Sequence, residues 1–335
     1  MIKHRNVIGL LLGPLLFTLL LLSPLPEGMT PQGLRVAAVA ALMAVWWVTE
    51  AIPIPATALL PIVLFPVLGV LSGSDVTQAY GNHLIYLFLG GFLIAVTMQT
   101  WNLHHRIALY TIRLVGVTPQ RIVLGFMLAT AFLSMWISNT AATMMMVTIA
   151  MAVTGEMEHD NRHRPGEFWF GTVLMLGIGY AASIGGVATL IGTPPNAIFA
   201  GVIEKTYGIS ISFLDWMTFA LPLSLVMLLI AWYYLARVLF TRADMHLPGS
   251  KAMIVEQIAR LGPMSRQELI VATVFCVVAL LWILRGFFQP HELSMVKDST
   301  IAIAGAILLF LIPVDLKKRE FLLDWKTAVT IPWDI

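Results

Sequence analysis

Long apolar runs separated by short polar segments dominate the sequence, and they predict the elements of the fold. A hydrocarbon core ~30 Å thick is crossed by about 20 apolar residues in a helix. On this basis the runs predict membrane segments at 7–24, 34–51, 55–72, 83–101, 122–155, 168–203, 213–239, 267–284 and 299–314. Two of these runs, 122–155 and 168–203, are too long for one straight crossing and contain no charged residue.

The run 122–155 would extend over roughly 50 Å as a single helix, which exceeds the membrane core. Its middle is Ser138-Asn139-Thr140, and these residue types favour helix N-caps and turns over helix interiors. We therefore predict a re-entrant hairpin of two short helices with these three residues at its tip. Non-helical backbone at this depth is tolerated only where it is buried in protein or lines a polar cavity, so the tip is a candidate site.

The run 168–203 is interrupted by Gly192-Thr193-Pro194-Pro195-Asn196. The two prolines remove two backbone donors, and each disfavours helix in the residue before it. A single proline would favour an ordinary kink, whereas this sequence predicts a true break near the middle of the membrane. Such a break exposes carbonyl groups on one side and N–H groups on the other.

Two discontinuous helices in one half of a membrane protein indicate a secondary-transporter site. The carbonyl ends of helices suit a cation such as Na⁺, and the N–H ends suit a carboxylate. Because neither run contains Asp, Glu, Lys or Arg, an anion bound there lacks a fixed countercharge from these segments. A co-bound cation would supply that charge, which gives a physical reason for ion coupling.

Composition agrees with a polytopic, all-α membrane protein, because 59% of the 335 residues are hydrophobic, only 11% are charged and the mean hydropathy is +0.86. The net charge of +2 argues against a nucleic-acid partner. The N-terminal basic residues and apolar run resemble a signal peptide without a small-residue cleavage site, so we expect a retained first span. The last residues, 330–335, resemble the start of a further span, which leads us to expect that the chain is truncated.

Basic residues flank the apolar runs and predict the orientation, since cytoplasmic loops are enriched in Lys and Arg. All of them fall on one side of the membrane if the hairpin enters and leaves on that side. The N-terminus is then cytoplasmic. The residues concerned are Lys3, His4, Arg5, Arg106, Arg113, Arg121, Arg162, Arg164, Arg242, Lys251, Arg260, Arg266, Lys317, Lys318 and Arg319.

The segment 101–115 mixes basic and apolar residues at roughly helical spacing, which predicts an interfacial amphipathic helix. On it, His104 and His105 are interpreted as contacts to lipid head groups. Glu50 is expected to cap the end of a span near the interface.

Motifs for other chemistry are weak. Residues 177–182 match a loose dinucleotide fingerprint but lie inside an apolar run, where packing of small residues is the better explanation. His291-Glu292 has no second histidine at the spacing of a metalloprotease. The three methionines at 144–146 are interpreted as hairpin packing. An enzyme is therefore not predicted.

Four segments together resemble the divalent anion/sodium symporters, the sodium-coupled dicarboxylate, citrate and sulfate carriers. They are spread over about residues 40 to 200 and occur in the family's order. The segments are 47–53 (Trp-Val-Thr-Glu-Ala-Ile-Pro) with Leu60-Pro61, 87–92 (Leu-Phe-Leu-Gly-Gly-Phe) with 103–109, 136–141 (Trp-Ile-Ser-Asn-Thr-Ala), and 192–196 (Gly-Thr-Pro-Pro-Asn).

The resemblance implies an inverted-repeat fold in which a transport domain moves against a scaffold by an elevator mechanism, in a homodimer. It implies an N-terminal transmembrane helix at 1–31 and scaffold helices with the interfacial helix at 32–120. Residues 121–240 would form the transport-domain part of the first repeat and 241–266 a cytoplasmic loop. Residues 267–335 would begin a second repeat, which is incomplete because no second Ser-Asn-Thr hairpin or broken helix follows.

The resemblance also assigns the site. Ser134, Ser138, Asn139 and Gly192 correspond to a sodium site, and Asn139, Thr140, Thr193 and Pro194 correspond to substrate contacts. The expected function is sodium-coupled symport of di- or tricarboxylates, of the succinate, malate and citrate class, across the inner membrane. A sodium-independent anion exchanger and a carrier of sulfate or another oxyanion are the alternatives.

Overall fold

In a computed structural model the chain is almost entirely α-helical. The structure describes residues 4–116, 118–160, 169–239, 250–288 and 295–333. Within these ranges, six helical segments are long and apolar enough to cross a membrane: His4–Leu22, Pro31–Thr49, Gly73–Thr100, Phe170–Val187, Phe213–Leu239 and Arg266–Phe287. The prediction of a polytopic helical membrane protein is confirmed.

The described helices follow one another along the whole chain, and two short strands form one antiparallel pair near its end. The helices are α1 His4–Leu22, α2 Pro31–Thr49, α3 Ile54–Ala58, α4 Leu60–Val67, α5 Gly73–Tyr80, α6 His83–Thr100, α7 Leu103–Val115, α8 Pro119–Ser134, α9 Asn139–Asp160, α10 Trp169–Val187, α11 Pro194–Tyr207, α12 Phe213–Tyr233 (continued by a π-helical segment, Tyr234–Leu239), α13 Ser250–Leu261, α14 Arg266–Phe288, α15 Asp298–Leu311 and α16 Trp325–Ala328; the strands are β1 Pro313–Asp315 and β2 Glu320–Phe321.

The chain divides into two compact units, residues 1–85 with 332–335, and residues 86–331. In the first unit, α1 and α2 pack closely because Gly9 has no side chain: a Cβ there would overlap Thr49. Glu50 ends α2 in a left-handed conformation, with φ at 51°, and its Oε2 lies 3.0 Å from an Arg5 guanidinium nitrogen. The expectation that Glu50 caps a helix end is confirmed.

The second unit has a hydrophobic core that supports the two predicted discontinuities. Helices α7, α8, α9, α10, α12 and α13 all contribute to it, and its members include Ile112, Phe126, Met146, Phe170 and Ile254. Because both hairpin helices and the first part of the broken helix are fixed in this core, the segments that connect them are held by rigid neighbours.

Both predicted discontinuities are present in the structure. Helix α8 ends at Ser134 and α9 begins at Asn139, while α10 ends at Val187 and α11 begins at Pro194. With 16 residues, α8 is about 24 Å long and too short to cross the core alone. The helix break starts earlier than predicted, after Val187, and Asn196 lies in the first turn of α11. The paired prolines begin α11, which is where a helix tolerates them.

Two predicted spans and one predicted loop differ from the structure. The run 55–72 forms the short helices α3 and α4, with Pro61 in the first turn of α4 and Pro66 in its last turn. The run 299–314 becomes the 14-residue α15, about 21 Å long, and the chain then enters β1 at Pro313. The segment 241–266 contains α13, whose Ile254 and Ile258 pack into the core, so it is not a loop throughout.

The predicted amphipathic helix is α7, but His104 does not face lipid head groups. Its side chain is buried, and its Nδ1 lies 3.2 Å from the Met98 carbonyl oxygen. Burial, together with the neighbouring His105, lowers the pKa of His104 to about 4. The interpretation of His104 was wrong because it lies on the face of α7 that carries Ala108 and Ile112 into the core.

Candidate ion and substrate site

The hairpin tip consists of the end of α8, a four-residue linker and the start of α9. The Met135 N–H donates to the Ala131 carbonyl at 3.1 Å and closes α8. The Ser138 hydroxyl accepts from the Ala141 N–H at 3.3 Å. This is the expected role of serine before a helix, since it satisfies a backbone donor that has no intrahelical partner. Asn139 is therefore held at the first position of α9.

The Ser134 hydroxyl is fully buried between two acceptors. Its Oγ lies 2.7 Å from Asn139 Oδ1 and 2.7 Å from the Ala182 carbonyl oxygen. A serine hydroxyl carries one proton, so it donates to only one of these oxygens at a time. One of these two oxygens therefore lacks the hydroxyl proton at any time, and neutral oxygens of this kind suit a bound cation.

Two glycines let the end of α10 approach the tip. A Cβ at Gly185 would overlap the Ala131 carbonyl at the end of α8, and a Cβ at Gly186 would overlap the Asn139 side chain. The ends of α8 and α10 therefore meet beside Asn139. Each helix end carries partial negative charge on its last carbonyl groups, which reinforces the preference of this place for a cation.

The carbonyl groups freed by the helix break are bound by one side-chain amide. The Asn196 Nδ2 donates to the Gly186 oxygen at 2.9 Å and to the Thr189 oxygen at 2.7 Å, and Asn196 is buried. Gly192 packs so closely on Gly186 that a Cβ would overlap its carbonyl oxygen. Gly186 thus contacts both Asn139 of the hairpin and Gly192 of the break.

The start of α11 has a polar side chain but few backbone donors, because Pro194 and Pro195 carry no N–H and the Asn196 N–H donates to the Thr193 carbonyl at 3.2 Å. Thr193 precedes the helix in extended conformation, makes no side-chain capping bond, and is followed by Pro194 at the first helical position. Thr193 and Pro194 are half-buried and Thr140 is exposed. The starts of α9 and α11 carry the positive ends of helix dipoles, which suit an anion.

Comparison with known proteins identifies the family. A family model described as the transmembrane region of sodium:sulfate symporters matches residues 4–335. The chain belongs to the sodium:sulfate symporter family. The family assignment agrees with the resemblance seen in the four sequence segments.

Relatives of this symporter-family chain are bacterial dicarboxylate carriers by name. The sodium-dependent dicarboxylate transporter SdcS of Staphylococcus saprophyticus is 44% identical over 342 aligned residues, which cover 99% of this chain and 66% of the relative. The protein of the same name from Staphylococcus aureus strain USA300 is 45% identical over 336 residues, which cover 98% of this chain and 65% of the relative. The chain therefore spans slightly less than two thirds of their length.

The structure of this symporter-family chain brings some of the predicted site residues together and leaves others apart. Ser134 and Asn139 are in direct contact. Gly192 packs against Gly186, which in turn packs against Asn139. The Ser138 hydroxyl is engaged in capping α9 and retains one lone pair. Thr140, Thr193 and Pro194 belong to the two helix starts, and their roles toward a substrate stay predictions.

Four residues at the site were not assigned a role from sequence: Ala182, Gly186, Thr189 and Asn196. The adjacent Gly185 and Gly186 in an apolar helix were a signal for close backbone approach, whereas the Ala182 carbonyl and the Thr189 hydroxyl give no such signal. In the described residues, no group of three His, Cys, Asp or Glu side chains is positioned to hold a metal ion. The oxygens brought together at the candidate cation site, those of Ser134, Asn139 and Ala182, are all neutral.

Proposed function

We propose that this protein is a sodium-coupled symporter of di- or tricarboxylates, of the succinate, malate and citrate class, in the inner membrane. The observation that carries the proposal is the meeting of two helix ends and two helix starts around Asn139 and Gly186, in segments without a charged residue. Such a site can hold a cation and an anion side by side through helix dipoles alone.

The cation in this proposal is Na⁺, held by Ser134, Ser138, Asn139 and the backbone of Gly192. The surplus acceptor at the Ser134 hydroxyl supports this set. The relatives named sodium-dependent support the choice of ion. We propose no catalytic role for these residues, since the reaction is transport.

The anion is proposed to contact Asn139, Thr140, Thr193 and Pro194 at the starts of α9 and α11. Because these segments supply no cationic side chain, the bound Na⁺ would provide the nearest positive charge. Loading of the ion then raises the affinity for the anion, and by linkage the anion raises the affinity for the ion by the same factor.

Sulfate is the second candidate substrate, because the matching family model is described by sodium:sulfate symport. The dicarboxylate is preferred because the relatives at 44% and 45% identity are named for it. A sodium-independent dicarboxylate exchanger would share the fold, but the names of these relatives do not favour it.

The architecture proposed with this function is the inverted repeat, with an N-terminal helix at 1–31, the first repeat at 32–240 and the start of the second at 267–335. Residues 121–240 would move as the transport domain against a scaffold in a homodimer. The N-terminus is proposed to be cytoplasmic, which is supported by the one-sided distribution of basic residues.

Uptake by the protein reconstituted in liposomes tests the function. We expect uptake of radiolabelled succinate under an inward NaCl gradient and no uptake when choline chloride replaces NaCl. Competition by unlabelled succinate, citrate or sulfate identifies the preferred anion. Uptake that is independent of Na⁺ but requires internal dicarboxylate would contradict symport and support the exchanger.

A further inference from the structure

Thr189 connects the two discontinuities, which are separated by about 50 residues of sequence. Its side chain is fully buried. Its hydroxyl donates to the Met135 carbonyl oxygen, in the linker at the hairpin tip. The same hydroxyl accepts from the Gly192 N–H at 3.1 Å, in the helix break. One side chain therefore joins the segment that orients Asn139 to the segment that contains Gly192.

Both partners of the Thr189 hydroxyl are backbone groups in irregular structure; the Gly192 N–H also lies 3.3 Å from the Thr189 carbonyl oxygen, a turn contact that does not reach the hairpin. The Met135 carbonyl follows the last turn of α8, and the Gly192 N–H precedes α11. Buried backbone groups that lose a hydrogen bond shift position or admit water, because the desolvation cost is otherwise not offset. The hydroxyl thus fixes the separation of the linker and the break.

We propose that Thr189 is a positioning residue for the cation site: it holds the hairpin tip and the helix break at the separation that Na⁺ binding requires. It does not itself touch the ion in this proposal. Asn196 supports the same arrangement by holding the Gly186 and Thr189 carbonyls from the other side. The inference rests on the sodium-binding part of the proposed function.

Two substitutions separate the hydroxyl from the shape of the side chain. Thr189→Val keeps the volume and removes the hydroxyl, while Thr189→Ser keeps the hydroxyl and removes a methyl group. Thr97→Val is the matched control: Thr97 is equally buried, and its hydroxyl bonds only the Leu93 carbonyl at 2.7 Å within α6. The Thr97 hydroxyl therefore bonds to its own helix and not to the linker or the break.

The first measurement is the rise in melting temperature of the purified protein with NaCl, with choline chloride as the ionic-strength control. A ligand that binds only the folded state stabilises it in proportion to the logarithm of its concentration above Kd. We expect Thr189→Val to need about tenfold more Na⁺ for the same rise, a loss of about 1.4 kcal/mol. Thr189→Ser and Thr97→Val should follow the unmodified protein.

The second measurement is hydrogen exchange of residues 135–138 and 188–193 in choline chloride. We expect faster exchange in both segments for Thr189→Val and no change for Thr97→Val. Unchanged exchange in Thr189→Val would overturn the inference. This measurement does not need a sodium titration, so it also decides the case in which Thr189→Val is too unstable to titrate and only Thr189→Ser is titrated. An equal loss of sodium response in Thr189→Ser would also overturn it, because the methyl group would then be responsible.

The two proposals fail in different ways. An unmodified protein that Na⁺ does not stabilise would refute the sodium site itself, and the positioning role with it. An unmodified protein that Na⁺ stabilises, together with a Thr189→Val variant of unchanged sodium dependence, would refute the positioning role alone.

Discussion

Two polar regions of the second unit are built on opposite principles. Around Asp298 the charges are fixed and matched: Oδ1 accepts from an Arg285 guanidinium nitrogen at 2.8 Å and Oδ2 from the Phe213 N–H at 2.9 Å. The two apolar runs that supply the Asn139 site, 122–155 and 168–203, contain no charged residue, and the Ser134 hydroxyl has two acceptors for its single proton. A region in which every polar group has a hydrogen-bond or ion-pair partner stabilises the fold. A region in which an oxygen lacks a donor can bind an ion.

The largest expected effect comes from Asn139, which belongs to both the ion and the substrate sets. Asn139→Ala removes one of the two oxygens that lie 2.7 Å from Ser134 Oγ, and we expect it to abolish the binding of both Na⁺ and succinate. Calorimetry of the purified protein measures both. Ser183→Ala is the control, because Ser183 is exposed on α10 and bonds only within that helix. Retained binding in Asn139→Ala would refute the site assignment and remove the contrast with Asp298.

Gly186→Ala should be nearly as severe, although it adds a single methyl group. The new Cβ would overlap the Asn139 side chain and push α10 away from the hairpin tip. We expect the variant to need at least about fivefold more Na⁺ for the same stabilisation, which corresponds to the lower end of the about 1–3 kcal/mol that overpacking costs. Gly179→Ala is the matched control on the same helix, because a Cβ there would meet no atom within 4 Å. An equal effect of both variants would indicate a general loss of helix packing.

Substitution of Asp298 should lower the free energy of unfolding without changing sodium binding. Asp298→Asn breaks a partly buried ion pair with Arg285, whose side chains are 10% and 28% exposed. Removing one partner of a buried pair costs about 3–5 kcal/mol, and the exposure of Arg285 reduces this to about 2 kcal/mol in the free energy of unfolding. Chemical unfolding measures the loss, and the sodium dependence of the melting temperature should stay unchanged. A changed sodium dependence would show that the matched region also serves the site.

The sequence predicted the discontinuities better than the details of either region. Length and the absence of charge located the hairpin and the broken helix, because the thickness of the membrane limits a straight helix. The role of Gly186 depends on which residue of α8 or α9 lies opposite it, and no local pattern specifies this. His104 was misassigned for the same reason: its basic neighbours on α7 indicated an interface, but the packing of α7 in the core determines which residues are buried.

Buried His104 predicts a dependence of stability on pH. Its pKa is lowered to about 4 in the folded protein, mainly by burial, against about 6.5 when unfolded. The unfolded chain therefore binds a proton first, and stability falls as the pH drops from about 6.5 towards 4. His104→Gln should flatten this part of the profile in chemical unfolding by about 3 kcal/mol. An unchanged profile would show that His104 is not the group responsible.

The smallest effect is expected at the exposed pair of Arg5 and Glu50, and it tests whether burial or charge matching makes the Asp298 region structural. Here the charges are also matched at 3.0 Å, but the two side chains are 48% and 58% exposed. Water screens such pairs, so Glu50→Gln should change the free energy of unfolding by at most about 0.5 kcal/mol, and less at high salt. A loss as large as that of Asp298→Asn would mean that matching alone stabilises. A loss near zero would mean that burial distinguishes the ion pair of Asp298 from an ordinary surface pair. The Asn139 site differs from both pairs because its oxygens are uncharged.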